Sequence, residues 1–332
     1  MHHREIFVSI NTLHSPSRLQ PHAICAAKVV VLMCTYNGQS FLGEQLESLE
    51  RQTHTNWSLV VSDDGSQDGT LSLLKDFGSR WGHARLGIMM GPRRGYAANF
   101  LSLTSSVDVD DADFFAWSDQ DDIWNEDKLE VALAWLQTVP ADTPALYCGR
   151  TQLISETGEH LGYSPCFRLA PGFSNALVQS IAGGNTMVFN NAARALLREA
   201  GNTLSVPAHD WWLYQLVSGA GGRIHYDPQP RIKYRQHAEN VVGSNIGWAA
   251  RLIRLRMVFQ GRFHEWNDQN IRGLDSMHHR LCKKNQDTLA YFKAARTQTV
   301  FRRVSGIWLA GLYRQTLLGN LGLLLAAIMK KI

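Results

Sequence analysis

Short apolar runs alternate with stretches of helical periodicity through the first half of this chain, and this alternation limits the possible folds more than any other feature. The run KVVVLMC at residues 28–34 is typical of a strand that is covered on both faces. A helical spacing of apolar residues follows it, and the same order of strand and helix returns until about residue 136. Repeated units of this length predict an α/β fold with a doubly wound, mostly parallel sheet.

The pattern becomes less regular after residue 150. Short strands are predicted at residues 186–189, 223–226 and 231–235, and helices at residues 192–200 and from His209 onward. From residue 246 to the end, the apolar spacing predicts helices only. We therefore expect a loose extension over 1–27, a main domain over 28–240 with halves at 28–150 and 151–240, and a helical region over 241–332.

Charge is distributed unevenly along the 332 residues. Residues 1–240 carry 18 Lys and Arg against 25 Asp and Glu, whereas residues 241–332 carry 15 against 4. A basic segment attached to a neutral-to-acidic body is typical of proteins that contact an anionic surface, either a membrane or a nucleic acid. The hydrophobic content of 45% is that of a globular protein with an ample core.

No targeting or membrane-spanning segment is predicted from the sequence. The first residues, about 20 in number, contain no continuous apolar core of the kind a signal peptide needs. The apolar run at 319–329 is 11 residues long, well short of the length that spans a bilayer. The five cysteines are odd in number and lack metal-binding spacing, which favours free thiols in a reducing cytoplasm.

Three carboxylates, Asp119, Asp121 and Asp122, follow the apolar run 112–117 within four positions. Like charges at the end of a buried strand are unfavourable unless a positive charge lies among them. A hard cation such as Mg²⁺ or Mn²⁺ takes carboxylates together with phosphate oxygens, so the cluster favours a metal site for a phosphorylated ligand. The alternative is a solvated acidic loop that caps the next helix through Asp122 or Asn125.

Polar residues also follow the first two predicted strands, at Thr35-Tyr36-Asn37 and at Asp63-Asp64. Ligands of doubly wound sheets bind outside the carboxyl ends of the strands, where all these residues would meet. A carboxylate accepts hydrogen bonds from a pyrimidine base or from ribose hydroxyls, which suits Asp63 and Asp64. A plain turn would use only Asp64 and the glycine after it. Arg93 fits a phosphate partner or a solvated basic loop equally well.

These motifs resemble those of a known family. The motifs TYNG at 35–38, VSDDGS at 61–66 with DGT at 68–70, and SDQDDIW at 118–124 resemble family 2 glycosyltransferases of the GT-A fold. The resemblance covers about residues 28–240. Within the family, SDQDDIW, HDWWL at 209–213 and YRQHxxN at 234–240 are similar to bacterial rhamnosyltransferases of surface-polysaccharide assembly.

The resemblance implies a role for each matching residue. The nucleotide sugar would be bound by six residues of these motifs: Thr35, Tyr36, Asn37, Asp63, Asp64 and Asp119. Arg93, from outside the motifs, is a further candidate because its charge suits a phosphate. A Mg²⁺ or Mn²⁺ ion would be held by Asp119 and Asp121, the latter as the direct ligand, and by His237. The catalytic carboxylate would be Asp210, although the family's usual Glu-Asp pair is His209-Asp210 here.

Asp210 has two interpretations that can coexist. As a catalytic base it would take the proton of the acceptor hydroxyl in an inverting, single displacement. As an N-cap it would begin the following helix, whose N-terminus would keep the carboxylate ionised. The acceptor is expected near Gly184 and Asn185, and near Trp211 or Trp212 as a sugar platform, although one of these adjacent rings is expected in the core. His237 and the Gly184 turn also have plain structural interpretations.

These observations predict an inverting glycosyltransferase that moves a sugar, rhamnose from dTDP-rhamnose being the favoured case, onto a glycan or lipid-linked acceptor. The enzyme would be cytoplasmic, with residues 246–332 in peripheral contact with the anionic inner face of the membrane. A nucleotidyltransferase acting on sugar phosphates is one alternative, but it would normally carry a Gly-rich basic loop after the first strand. A nucleic-acid-binding module would rest on the basic region alone, and no nucleic acid is expected as partner.

Overall fold

The computed structural model describes residues 26–82, 84–109, 111–237, 262–297 and 299–332. Nearly all of the predicted extension at 1–27 therefore lies outside the described residues. The same holds for residues 241–261, which include the start of the predicted basic region. The boundaries between domains stay predictions.

Eleven strands are present in the described part of the chain, and they form two sheets. In chain order they are β1 (Val29–Thr35), β2 (Trp57–Asp63), β3 (Leu86–Met90), β4 (Phe114–Ser118), β5 (Ile123–Trp124), β6 (Ala145–Gly149), β7 (Gln152–Ile154), β8 (His160–Tyr163), β9 (Val188–Asn190), β10 (Arg223–Asp227) and β11 (Ile232–Arg235). The larger sheet has the order β10-β6-β9-β4-β1-β2-β3. Only β9 runs antiparallel to its neighbours there. The predicted doubly wound, mostly parallel sheet is confirmed.

Eleven α-helices accompany the strands in the same described ranges. They are α1 (Leu42–Glu50), α2 (Thr70–Trp81), α3 (Tyr96–Ser106), α4 (Lys128–Leu136), α5 (Phe173–Ala176), α6 (Asn191–Ala200), α7 (His209–Gly219), α8 (Arg262–Ser276), α9 (Lys283–Thr297), α10 (Val300–Leu309) and α11 (Leu317–Ile328). Short 3₁₀ turns lie at Gly184–Thr186 and His278–Arg280. The first of these turns replaces the start of the strand expected at 186–189, so that β9 begins two residues later.

Both faces of the larger sheet are covered, which explains the continuous apolar run of β1. Successive strand residues point to opposite faces, and β1 divides its side chains accordingly. Val30 and Leu32 belong to a core cluster that includes side chains of α3, α6 and α7. Val29, Val31 and Met33 belong to a second cluster with side chains of α1, α2 and α4. Burial on both sides is what a parallel strand of this composition requires.

The smaller sheet, of order β5-β11-β7-β8, connects distant parts of the chain. Strand β5 follows the acidic cluster directly, and it pairs antiparallel with β11. This pairing brings the residues after β11 beside residues 119–122, more than a hundred positions earlier in the sequence. The cluster is therefore framed by segments from before and after residue 150.

The described part of the C-terminal region is helical, as predicted. Helix α8 packs on α7, where the ring of Trp212 lies against Gly273. Helices α9, α10 and α11 follow and pack against one another in order. None of the described helices combines the length and apolar character needed to cross a bilayer. The four cysteines in the described ranges are free thiols.

Candidate functional site

Three loops meet at the carboxyl edge of the larger sheet because their strands are neighbours. Thr35 at the end of β1 pairs with Asp63 at the end of β2, and Met33 of β1 pairs with Ser118 of β4. The loops after β1, β2 and β4 carry the three motifs identified in the sequence. The topology thus brings the predicted site residues of these loops together.

Asp63 is buried and holds the loop after β2. Its Oδ1 accepts hydrogen bonds from the backbone N–H groups of Gly65 (3.1 Å) and Ser66 (2.8 Å). Its Oδ2 accepts from the hydroxyls of Thr35 (2.8 Å) and Ser66 (2.6 Å). Thr35 and Asp63 are both buried and bonded to each other, and their expected direct contacts with base and ribose stay a prediction. The two side chains shape the loop, which accounts for the carboxylate that a plain turn left unexplained.

Asp64 organises the next loop, which follows β3. Its Oδ1 accepts from the backbone N–H of Arg93 at 2.6 Å, and its Oδ2 accepts from that of Gly95 at 3.1 Å. Arg93 has a positive φ of 56°, and its guanidinium lies against Gly65, where an added Cβ would be 3.0 Å from Nε. Arg93 is exposed and Asp64 is partly so. Both side chains therefore border the open edge of the sheet.

The loop after β1 is held by Gln120, a residue that no pattern in the sequence singled out. The backbone N–H of Tyr36 donates to Gln120 Oε1 at 2.9 Å, and Gln120 Nε2 donates to the Tyr36 carbonyl at 3.0 Å. Gly38 permits this contact, since an added Cβ would lie 2.3 Å from Gln120 Oε1. The Tyr36 side chain remains 59% exposed. Its ring is thus presented at the site with its backbone fixed.

Asn37 joins the loops after β1 and β2. Its backbone N–H donates to Ser66 Oγ and its Oδ1 accepts from the Gln67 N–H, both at 2.9 Å. Asn37 adopts a positive φ of 49°, which asparagine tolerates better than most residues. The residue therefore has a structural role at the site that its sequence context did not reveal.

The acidic cluster is compact and crowded. Asp119, Asp121 and Asp122 each offer a carboxylate oxygen, and these oxygens all lie within 4.8 Å of one another. Burial and the negative charges of Asp121 and Asp210 raise the pKa of Asp119 to about 7, against a smaller opposite effect of Lys128. Burial and the same kind of repulsion raise the pKa of Asp122 well above its usual range.

A divalent cation fits this set of ligands. Hard cations take several carboxylate oxygens at once, and the cluster supplies one from each of three residues. The Asp119 carboxylate has no hydrogen-bond partner in the described part of the chain, so its oxygens are available. Asp122 is less available, because it is fully buried and accepts from Asn185 Nδ2 at 2.6 Å and from the Arg235 N–H at 3.3 Å. Asp119 and Asp121 are therefore the better ligands, and the solvated, helix-capping loop is excluded as an interpretation for Asp122.

His237 reaches the cluster from the end of β11, far along the chain from the aspartates. Its Nε2 lies 2.7 Å from Asp121 Oδ2, and its ring packs on Phe41 at 4.9 Å between centroids. The pairing of β11 with β5 is the reason for this proximity. A cation on Asp121 would have the imidazole nitrogen within reach.

Arg235, in the same motif, fixes the turn that carries two of the aspartates. Its guanidinium is fully buried and donates to the carbonyls of Asp121 (3.1 Å) and Glu156 (2.7 Å) and to Glu44 Oε2 (2.8 Å). The backbone N–H of Arg235 also donates to Asp122 Oδ1. Arg235 therefore holds both the backbone of Asp121 and the side chain of Asp122. The sequence motif contained Arg235, but periodicity and spacing assigned it no role.

Lys128 is a second positive charge that no sequence motif indicated. It lies at the start of α4, fully buried, where its Nζ donates to the Asn185 carbonyl at 2.7 Å and contacts the face of Trp124. Burial lowers its pKa strongly, although the charges of Asp122 and Asp119 act in the opposite direction. Lys128 thus lies close enough to the cluster to offset part of its negative charge.

Asp210 lies on α7 and faces the acidic cluster closely enough for its charge to raise the pKa of Asp119. Burial raises the pKa of Asp210 itself to about 6, while hydrogen bonds from the backbones of Trp211 and Gly184 act against the rise. Helix α7 begins at His209 after the N-cap residue Ala208, so Asp210 is in the first turn and is not the N-cap. The capping interpretation was wrong, and the carboxylate is left for another role.

The predicted acceptor residues are mostly structural. Trp212 is completely buried, and Trp211 is 6% exposed with its Nε1 donating to the Ala176 carbonyl. Both rings belong to the core, so the expected sugar platform is wrong. Asn185 is buried too and supports Asp122 and Lys128 rather than facing an acceptor. Gly184 lets its backbone lie close to the ring of His209, since an added Cβ would be 2.4 Å from His209 Nε2.

Comparison with known proteins gives a consistent result. Residues 30–199 match the family model described as Glycosyl transferase family 2. The dTDP-rhamnosyl transferase RfbG of Shigella flexneri is 30% identical over 236 residues, which are 68% of this chain and 78% of the relative. The UDP-Glc:alpha-D-GlcNAc-diphosphoundecaprenol beta-1,3-glucosyltransferase WfgD of Escherichia coli is 28% identical over 108 residues, 32% of this chain and 41% of the relative.

Among solved structures, S. aureus TarS in complex with UDP-GlcNAc is similar in fold. The TM-score is 0.50 at 16% sequence identity, with 86% of this chain and 93% of that chain covered. At this identity the likeness concerns the fold alone. The predicted GT-A fold is confirmed by this likeness.

Proposed function

Because this chain belongs to glycosyltransferase family 2, we propose that it transfers a sugar from a nucleotide diphosphate donor to a glycan or lipid-linked acceptor, with inversion. The reaction would be a single displacement at the anomeric carbon. The bond to the acceptor oxygen forms as the bond to the diphosphate oxygen breaks. The acceptor proton passes to a protein carboxylate.

The observation that carries the proposal is the position and protonation of Asp210. It is half-buried beside Asp119, and its pKa of about 6 suits a group that is ionised at neutral pH yet basic enough to take a proton. The backbone hydrogen bonds from Trp211 and Gly184 would keep the carboxylate in one orientation. The buried, neutral His209, whose pKa falls to about 3, adds no competing charge.

The donor would bind over the open edge of the sheet. The exposed ring of Tyr36 would stack on the base, and the partly exposed Asp64 would accept from ribose, with Arg93 beside the phosphates. Asp119 and Asp121, with His237 next to Asp121, would hold Mg²⁺ or Mn²⁺ at the diphosphate. When bound, such a cation stabilises negative charge on the leaving diphosphate.

We infer that the donor is dTDP-rhamnose, because RfbG is described as a dTDP-rhamnosyl transferase. A lipid-linked acceptor is supported by WfgD, whose name specifies a diphosphoundecaprenol substrate. These choices imply a role in bacterial cell-envelope polysaccharide biosynthesis, O-antigen being one such product. The reaction would then take place at the inner face of the cell membrane, where lipid-linked acceptors are found.

A donor screen tests the reaction and its metal requirement. Purified protein is incubated with dTDP-rhamnose, UDP-glucose, UDP-GlcNAc and GDP-mannose, and release of the nucleotide diphosphate is measured with Mn²⁺ and with EDTA. We expect turnover with dTDP-rhamnose that EDTA abolishes. Asp121→Ala should be inactive, whereas the exposed-site control Asp76→Ala should match the wild type. Turnover in EDTA, or wild-type turnover of Asp121→Ala, would contradict the proposed metal site.

The base is tested separately with Asp210→Asn. This change keeps the size of the side chain but removes the proton acceptor, so transfer should fall by at least about a hundredfold. The dissociation constant for the donor should stay near the wild-type value, measured by calorimetry. A matched loss of donor binding would mean that Asp210 is structural.

A further inference from the structure

Helices α10 and α11 present large apolar side chains to solvent. We define the C-terminal apolar face by six of them: Phe301, Trp308, Leu309, Leu317, Leu318 and Leu321. Phe301 is 90% exposed, Trp308 is 82% exposed and Leu317 is 86% exposed. Single exposed apolar residues are ordinary, but six on two helices that pack together make a patch that needs a partner.

The opposite side of the same helices is already packed. In α10 the buried Gly306 lies against Ala295 of α9, where an added Cβ would be 2.5 Å from Ala295 Cβ. In α11, Leu323 and Ala327 are buried in the main core cluster. Each helix therefore has its core-facing side filled. The exposed side chains take no part in this packing among the described residues.

The charged residues on α10, on α11 and after them are all basic. Residues 299–332 contain five Lys and Arg and no Asp or Glu, whereas Lys293 and Arg296 on α9 are paired with Asp275 and Asp268 of α8. Lys330 is exposed just beyond the end of α11, and Arg302 is exposed within α10. A second copy of the chain seated on this face would bring two cationic surfaces together, which opposes association. An anionic partner meets the same charges favourably.

We propose that the C-terminal apolar face docks on the surface of a bilayer that contains anionic lipids. Amphipathic helices with apolar residues on one side and basic residues beside them bind in the plane of such an interface. The aromatic rings of Phe301 and Trp308 lie at the level of the headgroups and upper acyl chains. Helices α10 and α11 have only 10 and 12 residues, so they lie on the bilayer.

The docking face is attached rigidly to the rest of the protein. Between α10 and α11, the Tyr313 carbonyl accepts from Asn175 Nδ2 at 3.0 Å, and the Gln315 N–H donates to Gln179 Oε1 at 2.9 Å. The segment thus bound includes α5, whose Ala176 carbonyl accepts from Trp211 on α7. Docking therefore holds the Asp210 helix at a fixed position relative to the lipid surface.

Vesicle binding by the full chain tests this inference without any sugar donor, so its failure is distinct from failure of the proposed reaction. The protein is sedimented with vesicles of phosphatidylcholine alone and of phosphatidylcholine with phosphatidylglycerol. We expect binding to the second only, weakened by salt. Lys330→Gln with Lys331→Gln should lower the partition coefficient about 25-fold, at about fivefold for each charge.

The apolar contribution is tested with Phe301→Ser combined with Leu317→Ser. Both side chains are almost fully exposed, so the variant should fold normally and lose at least about tenfold in partition for each residue. The matched control combines Ile88→Ser with Leu161→Ser, two exposed apolar residues outside the C-terminal region, and should bind as the wild type does. Bromine-labelled lipids should quench tryptophan fluorescence in the wild type and less in Trp308→Phe.

Two results would overturn the inference. The wild type would fail to sediment with the anionic vesicles, or the Phe301→Ser, Leu317→Ser variant would bind as tightly as the wild type. Light scattering on both proteins completes the test. If the wild type is dimeric without binding vesicles and the variant is monomeric, the face belongs to a second copy and not to lipid.

Discussion

Replacing Asp119 by Asn should stabilise the metal-free protein while removing its response to metal. The structure brings the Asp119 carboxylate beside Asp121 and Asp210 without a hydrogen-bond partner in the described ranges. The amide that replaces this carboxylate is not charged, so the repulsion at the site falls, and no hydrogen bond is lost. A residue kept at the expense of stability is a mark of a functional site.

The magnitude follows from the pKa. In the folded protein the pKa of Asp119 is raised from 3.8 to about 7, so the folded state binds this proton more tightly than the unfolded state does. The wild type therefore loses free energy of unfolding as pH rises from about 4 to about 7. The full rise would correspond to about 4 kcal/mol. Asp119 is only partly buried, and solvent screening reduces our expectation to about 2 kcal/mol.

Urea unfolding in EDTA measures this quantity for the wild type, for Asp119→Asn and for the exposed-site control Asp76→Asn. At about pH 8 the Asp119→Asn variant should be more stable than the wild type by about 2 kcal/mol, and at about pH 4 the difference should vanish. The control should match the wild type at both values. Saturating Mn²⁺ should raise the midpoint of the wild type and leave Asp119→Asn unchanged.

Two results would contradict this prediction: Asp119→Asn is less stable than the wild type at the higher pH, or the difference in stability between the two does not depend on pH. Either result would mean that Asp121 and Asp210 do not repel the Asp119 carboxylate as their positions indicate. An equal gain in stability from Mn²⁺ in Asp119→Asn would remove Asp119 from the set of ligands.

Three further predictions concern the same site. The rate of transfer at saturating substrates should fall tenfold per pH unit below about pH 6. Burial raises the pKa of Asp210 to about 6, and only the ionised carboxylate accepts a proton. A rate that does not change with pH would exclude Asp210 as the base. Arg235→Lys should weaken Mn²⁺ binding and lower the free energy of unfolding by about 2 kcal/mol, since lysine cannot replace the buried contacts of the guanidinium. A dissociation constant for Mn²⁺ equal to that of the wild type would contradict this. Gly38→Ala should raise the KM for the donor with little change in kcat, because the new Cβ displaces Gln120. The control Gly43→Ala should change neither constant, because its added Cβ would lie 4.0 Å from the nearest atom, Leu73 Cδ2.

The fold was predictable because its signals are local. A strand covered on both faces must be apolar throughout, and the run at β1 has that property whatever its neighbours are. Helical spacing and turn residues mark the elements between the strands in the same way. The carboxyl ends of parallel strands lie on one edge, so the convergence of the loops after β1, β2 and β4 also followed from the sequence.

Roles inside the site were less predictable, because a motif fixes where a side chain lies and not what it contacts. Asp63 and Asp64 are adjacent in the sequence, yet Asp63 is buried and bonded to its own loop whereas Asp64 borders the open edge. Of Trp211 and Trp212, the sequence predicted one as a sugar platform and one as core, whereas both rings are buried. Exposure is a property of the packed chain, and adjacent residues differ in it freely.

The sequence by itself therefore determined the α/β fold, the family and the three carboxylates of the acidic cluster. Only the tertiary structure decided which charges surround them. Lys128, from the start of α4, and Arg235, from the end of β11, reach the cluster through sheet pairing and helix packing between segments that are far apart in the chain. Electrostatic interactions depend on distance in space, so the protonation of Asp119 and Asp210 could be assigned only when those distances were known.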